Sequence, residues 1–220
     1  MGTVRIEGTS DEIAVGTIFC LGRNYREHAR EMGADVPTEP VIFLKPSTAL
    51  LEPGDPIVLP RFSSDIHHEV EMVVLIGREG RDIARSEAME HVVGYGVGLD
   101  LTARDVQAAA KSKGLPWAVA KGFDGSAPVS RFVRAADVPD PHALDISLLL
   151  NGAIRQSANT SQMIFRVDET ISWLSTIFTL MPGDLIFTGT PEGVGPIVPG
   201  DEIEIRLGTD ISARFRVAER

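Results

Sequence analysis

The stretch DIHHEVEMVVLIG, residues 65–77, leaves the fewest options for folding. Side chains alternate between the two faces of a strand. Val70, Met72, Val74 and Ile76 therefore make one apolar face, while His67, Glu69, Glu71, Val73 and Leu75 make the other. The second face begins charged and ends apolar, a pattern that suits the wall of a pocket leading into a core. Glu69 and Glu71 leave the same face, and two carboxylates that close repel unless a cation lies between them. A divalent ion would resolve the conflict. Asp100, at the end of the glycine-rich run VVGYGVGLD, offers a third oxygen. Gly94, Gly96 and Gly98 keep one face of that run nearly bare, as a close backbone or a neighbouring ligand would require. An all-oxygen ligand set suits Mg2+ or Mn2+. His67 and His68 are expected beside the site or at the surface, not among the ligands. Spacing alone also fits a solvent-facing strand edge whose glutamates pair with arginines.

A chain of 220 residues can bury one sizeable core. It carries 31 acidic and 21 basic residues, with no basic block to form a nucleic-acid footprint. No apolar run reaches membrane-spanning length. The opening MGTVRIEGTSDEIAVG lacks the basic-then-apolar order of a signal peptide. The single cysteine, Cys20 in TIFCLG, fits a reducing compartment and reads as a small buried apolar residue. A cytoplasmic setting is the expectation.

EPGDPIVL, MPGDLIFT and VPGDEIEI share one device. Pro-Gly suits the centre of a type II turn, because Pro presets φ and Gly accepts φ > 0. Each turn precedes an alternating β-rich segment. Further strands read at TIFCLG, VIFLKP, GYGVGLDL, ISLLLNG and ARFRV, with a hairpin at Asn151-Gly152. Three short helices follow from capping patterns: Asn24 with Glu27 before Gly33, Thr102 with Asp105 before Gly114, and Asp168 ahead of ETISWLSTIFTL. The fold class is a strand-dominated mixed α/β domain.

GRNYREHAREMG places His28 and Glu31 at i and i+3, on one face of a short helix. A carboxylate beside an imidazole fixes its tautomer and raises its basicity, as a general base requires. The mixed charges around the pair fit a solvated helix equally well, and a helix bounded by Asn and Gly could also serve as a lid. FTGTPEGVGP is a glycine-rich ending without the Gly-Lys-Ser/Thr of a phosphate loop. It could present N–H groups and the hydroxyls of Thr188 and Thr190 to an anion, or simply turn between strands. Lys45 and Lys121 lie near turns, and neither is informative alone.

Taken in order, GRNYREHAREMG, EPVIFLKPSTAL, HHEVEMVVLIG, GYGVGLDLTARDVQ, KGLPWAVAKGFDGSAPVS, NGAIRQ and TLMPGDLIFTGTPEGVGP resemble the fumarylacetoacetate hydrolase family. The closest likeness is to its compact acylpyruvase and oxaloacetate-handling branch. The resemblance implies a mixed β-sandwich roll, usually a homodimer, with Mg2+ or Mn2+ on Glu69, Glu71 and Asp100. It implies His28 and Glu31 as a catalytic dyad and Lys121 as a third catalytic residue. Arg23, Lys45, Arg104, Gln107 and Thr190 match substrate-contacting positions. Larger members carry a separate N-terminal domain; here residues 1–16 would be a short extension and 17–220 the catalytic domain. The expected reaction is metal-dependent hydrolysis of the C–C bond of an acylpyruvate. Oxaloacetate decarboxylation or keto–enol tautomerisation at the same site is the alternative. A non-catalytic metal-binding protein is a more distant one.

Overall fold

The Val70–Ile76 strand is buried at every position and lies inside a six-stranded sheet. In the computed structural model, which describes residues 2–10, 12–33 and 35–218, its two faces feed two cores. Met1, Asp11, Ala34, Glu219 and Arg220 lie outside the described residues. Val70, Met72, Val74 and Ile76 pack with Ile146, Leu148, Ile203, Ile205 and Phe215 of a second, five-stranded sheet. Val73 and Leu75 pack on the other side with Ile18, Cys20, Leu185, Phe187, Val129 and Phe132. The expected face assignment thus holds from Val70 onward, and both layers need the strand to be apolar.

The six-stranded sheet runs Val133–Arg134, Val92–Leu99, Val70–Ile76, Leu185–Phe187, Ile18–Gly22, Val41–Lys45. Only the Leu185–Phe187 and Ile18–Gly22 strands pair in parallel there. The five-stranded sheet runs Ala153–Asn159, Asp145–Leu150, Glu202–Leu207, Ile211–Ala218, Ile57–Val58. Face-to-face packing of these sheets gives the strand-dominated α/β sandwich anticipated from the sequence.

The strand expected over residues 65–77 is broken at Glu69. Ile66–His68 leaves for a small sheet with Thr102–Ala103 and Gly195–Pro196. At the break, the side chain of Gln156 accepts from the Val70 N–H at 3.0 Å, while the Glu69 carbonyl receives the Asp100 N–H at 2.9 Å. The ladder is interrupted where two metal-site candidates meet.

The three Pro-Gly turns form as expected. Gly54, Gly183 and Gly200 have φ of 103°, 91° and 93°, and Asp55, Asp184 and Asp201 close the turns onto Glu52, Met181 and Val198. Asn151 and Gly152, with φ of 53° and 79°, make the primed hairpin turn.

The helices form but their caps do not. Arg26–Glu31 starts after Tyr25 with no side-chain cap, because Asn24 is used elsewhere. Its amide binds the Phe165 and Thr188 carbonyls and accepts the Phe165 N–H, pinning two distant segments. Arg104–Ser112 starts after Ala103; Thr102 lies in a strand, and Asp105 receives Ser63 Oγ and Ser64 N. Val167–Ile177 starts after Arg166, with Asp168 inside the first turn and bonded to Arg85 at 2.8 Å. Gly33 and Gly114, at φ of 61° and 64°, do follow the ends of their helices.

Residues Thr3–Arg5 and Glu12–Ala14 pair with each other, and Val4, Ile6 and Val15 join the second core. Among the described residues no helix is long and apolar enough to cross a membrane.

Candidate metal centre and active site

Glu69, Glu71 and Asp100 converge at the base of a cavity of about 360 Å³. Each offers an oxygen within 4.8 Å of the others, and they form the one such cluster among the described residues. Glu71 comes from the Val70–Ile76 strand opposite Gly98 of its neighbour, and Asp100 follows that neighbour directly. All three are buried. The bare face of the glycine run is explained by protein, not ligand. A Cβ on Gly98 would lie 2.9 Å from the Pro128 carbonyl oxygen, and one on Gly94 2.9 Å from that of Val133.

Cations surround two of the acids. Lys121 Nζ donates to Glu69 Oε2 at 2.8 Å, to Thr102 Oγ1 at 2.7 Å and to Asp100 Oδ2. Arg104 donates to Glu69 Oε1 at 2.7 Å and to Gln107 Oε1 at 2.8 Å. Lys45 Nζ lies 2.8 Å from Asp100 Oδ1 but directs its hydrogen bonds to the Leu101, Lys121 and Ser126 carbonyls and to Ser126 Oγ. Burial alone would raise the Glu69 carboxyl, but Lys121 and Arg104 hold it well below the usual range. Burial pulls the Lys121 ammonium down, and Asp100 and Glu69 more than reverse that.

Glu71 is the exception. Among the described residues it has no cationic partner and receives only the Gly189 N–H, at 2.7 Å. Burial, then Asp100 and Glu69, push its carboxyl well above the ordinary range. Asp100 Oδ1 is buried without a hydrogen bond. Oxygen-only donors, one acid lacking a countercharge and one buried carboxylate oxygen without a hydrogen bond fit a hard divalent cation.

His28 is buried on the cavity wall, its Nδ1 3.2 Å from Glu31 Oε2. With Glu31 ionised that contact puts the proton on Nδ1 and leaves the Nε2 lone pair free. Glu31 is itself aimed by the Gly193 N–H, at 3.1 Å from Oε1 and 3.3 Å from Oε2. The glycine-rich ending does present N–H groups to anions, but the anions are the protein's own Glu71 and Glu31. Thr188 turns inward onto the Met72 carbonyl, while Thr190 lines the cavity.

Arg23, Arg104, Gln107 and Lys121 also line the cavity. Lys45 does not; it lies beneath the floor, fully enclosed. His68 binds Gln156 and His67 binds Asp65, so neither joins the acidic cluster. Sequence reasoning missed Gln156, whose amide joins His68 and Val70 to Thr190 and Pro191, at 2.8 Å from Thr190 Oγ1. A glutamine inside a polar strand carries no signal for that. It also missed Lys111 and Trp117 on the cavity wall. Lys111 was readable, since it follows Arg104 and Gln107 at helical spacing.

A hard-cation carboxylate site beside a His–Glu pair, on the face of the six-stranded sheet turned away from the five-stranded one, is that of a metal-dependent enzyme. The family model for fumarylacetoacetate (FAA) hydrolase C-terminal matches residues 17–218, and the chain belongs to the fumarylacetoacetate hydrolase family. It is 52% identical over 200 residues to the mitochondrial oxaloacetate tautomerase FAHD1 of Mus musculus, covering 91% of this chain and 90% of that one. It is 46% identical over 205 residues to a mitochondrial oxaloacetate decarboxylase of Dictyostelium discoideum, covering 92% and 94%. The fold matches the crystal structure of fumarylpyruvate hydrolase from Pseudomonas aeruginosa in complex with Mn2+ and pyruvate. There the TM-score is 0.95 at 40% identity, covering 100% of this chain and 96% of that one. Because named relatives are mitochondrial, family membership does not support the expected cytoplasmic setting.

Proposed function

We propose that the enzyme interconverts the keto and enol forms of oxaloacetate, or of a closely similar 2-oxo acid, with His28 moving the proton. The observation that supports this most is the His28–Glu31 pair at 3.2 Å on the wall of the cavity that holds the acidic cluster. Glu69, Glu71 and Asp100 would hold Mg2+ or Mn2+. When bound, such an ion supplies Lewis-acid charge that favours the enolate of a 2-oxo acid. Lys121 and Arg104 keep Glu69 ionised and fixed, and Lys121 also fixes Asp100 by a hydrogen bond. His28 Nε2 takes a proton from C3, and the electron pair left behind moves toward the 2-oxo oxygen. Glu31 balances the imidazolium that results. Returning the proton to oxygen or to carbon completes the enol or the ketone. Arg23, Gln107 and Thr190 would orient the substrate; Lys45 would act from below by supporting Asp100.

Hydrolysis of an acylpyruvate is the second reading, favoured by likeness to the fumarylpyruvate hydrolase structure. There His28 would deprotonate a water instead of carbon. Lys121, read from the family resemblance as a third catalytic residue, fits a supporting role, since its protons go to Glu69, Asp100 and Thr102. The non-catalytic alternative leaves the His28–Glu31 pair without a use. As in the family, a homodimer is proposed, to be read by light scattering.

The test follows oxaloacetate tautomers, CO₂ and pyruvate together, and fumarylpyruvate cleavage separately, with Mg2+ or with chelator. Tautomer exchange that needs metal and is lost in His28→Ala supports the first reading. Exchange at the parent rate in His28→Ala would rule it out.

A further inference from the structure

The cavity is polarised. Its buried floor carries Glu69, Glu71 and Asp100, and its more exposed rim carries Arg23, Arg104 and Lys111. Arg104 is taken up by Glu69 and Gln107. Arg23 and Lys111 have no carboxylate partner among the described residues. The Arg23 Nε is buried with no hydrogen-bond partner, on a residue held at φ 60°. That left-handed backbone is uncommon for a residue with a Cβ and tends to accompany function. Lys111 Nζ stands 5.2 Å from the centre of the Trp117 ring. A cation over an indole face is held in place without losing its charge. Lys111 shares the cavity face of the Arg104–Ser112 helix with Arg104 and Gln107, at spacings of seven and four. Burial, then Arg104 and Lys121, hold its ammonium below the ordinary lysine range, as expected where an anion is wanted.

We infer that Lys111, steadied on Trp117 and acting with Arg23, receives a second carboxylate of the substrate, so that the site selects 2-oxo dicarboxylates over 2-oxo monocarboxylates. This rests on the proposed seating of the 2-oxo acid end at the three acids. It adds a specificity residue at the exposed rim of the cavity. The dianion then spans the polarity of the site, with its far charge at the positive rim.

The test compares the full-length, Mg2+-loaded wild type with Lys111→Met and Lys111→Arg. The methionine keeps an apolar stem on Trp117 and removes the charge. Fresh oxaloacetate and pyruvate, which is the same 2-oxo acid without the second carboxylate, are titrated by calorimetry. The KM for oxaloacetate is read in parallel. Lys111→Met should weaken oxaloacetate about tenfold, leave pyruvate within about twofold, and be rescued largely by Lys111→Arg. Equal oxaloacetate affinity in wild type and Lys111→Met would overturn the inference, as would an equal loss for pyruvate. If the binding difference appears without any turnover of oxaloacetate, the proposed reaction fails and the inference stands. If turnover is intact and Lys111→Met is unaffected, only the inference fails.

Discussion

The backbone N–H of Gly193 donates to the Glu31 carboxylate across 162 positions of sequence, and Glu31 in turn holds His28. The base is therefore aimed by a loop from the other end of the chain. Replacing Glu31 with Gln keeps a hydrogen-bonding group there but removes the charge that stabilises an imidazolium. Glu31→Gln should lower kcat by about tenfold to a hundredfold, with a smaller change in KM. Its melting temperature should stay near that of the parent, because Glu31 is partly exposed. A variant with parental kcat would show that the pair does not act as a unit.

Glu71 makes opposite predictions for stability with and without metal. Its carboxylate is buried beside two others with no cation of its own. Glu71→Gln retains an oxygen for the Gly189 N–H and removes a repelling charge. The metal-free variant should melt a few degrees higher than the parent, corresponding to about 1 kcal/mol. Mg2+ or Mn2+ should raise the melting point of the parent by mass action and shift that of the variant far less. Equal metal-induced shifts in both proteins would remove Glu71 from the ligand set.

Much of this site was legible because it lies on elements of fixed period. Alternation alone puts Glu69 and Glu71 on one face, and helical spacing does the same for His28 and Glu31. Both pairs sit as expected in the structure. The turns were legible for a similar reason, since Pro-Gly and Asn-Gly encode local backbone angles that need no distant partner. What escaped was set by distant contacts. Asn24 looks like a helix cap in sequence, yet Phe165 and Thr188 lie near enough to claim its amide. Asp105 is claimed by Ser63 and Ser64 in the same way. Lys45 and Lys121 carry no local signal at all. Their burial follows from the acids that face them, which only the folded sheets bring together.

Lys121 has all three ammonium protons directed to buried oxygens. Lys121→Met would leave Glu69 with Arg104 alone and Asp100 with Lys45 alone. Breaking a buried charge network in this way typically costs about 3–5 kcal/mol. The metal-free variant should therefore unfold at markedly lower denaturant. A divalent cation should recover part of the loss, because it supplies positive charge among the same three acids. Denaturant titrations with and without Mg2+ read both effects. A loss below 1 kcal/mol would mean that the acids are compensated by other means.

His142 ties stability to pH at a point remote from the acids. Its Nε2 accepts the Val167 N–H at 3.1 Å, at the first residue of the Val167–Ile177 helix, and Arg166 lies 2.9 Å from its Nδ1. Asp140, at 3.7 Å, is the nearest carboxylate to that ring. An accepting Nε2 requires a neutral imidazole. Burial, then the Arg166 charge, hold the group below its ordinary value of 6.5. The native state therefore binds fewer protons here than the unfolded chain does, and stability rises with pH across the window between the lowered value and 6.5. As pH falls through that window the contribution is lost. His68, also lowered by burial, adds a slope of the same sign. His142→Gln keeps a side-chain acceptor that does not titrate. Its unfolding free energy should fall less steeply than the parent's as the pH drops below 6.5. Parallel curves for the two proteins would show that the ring does not carry this proton linkage.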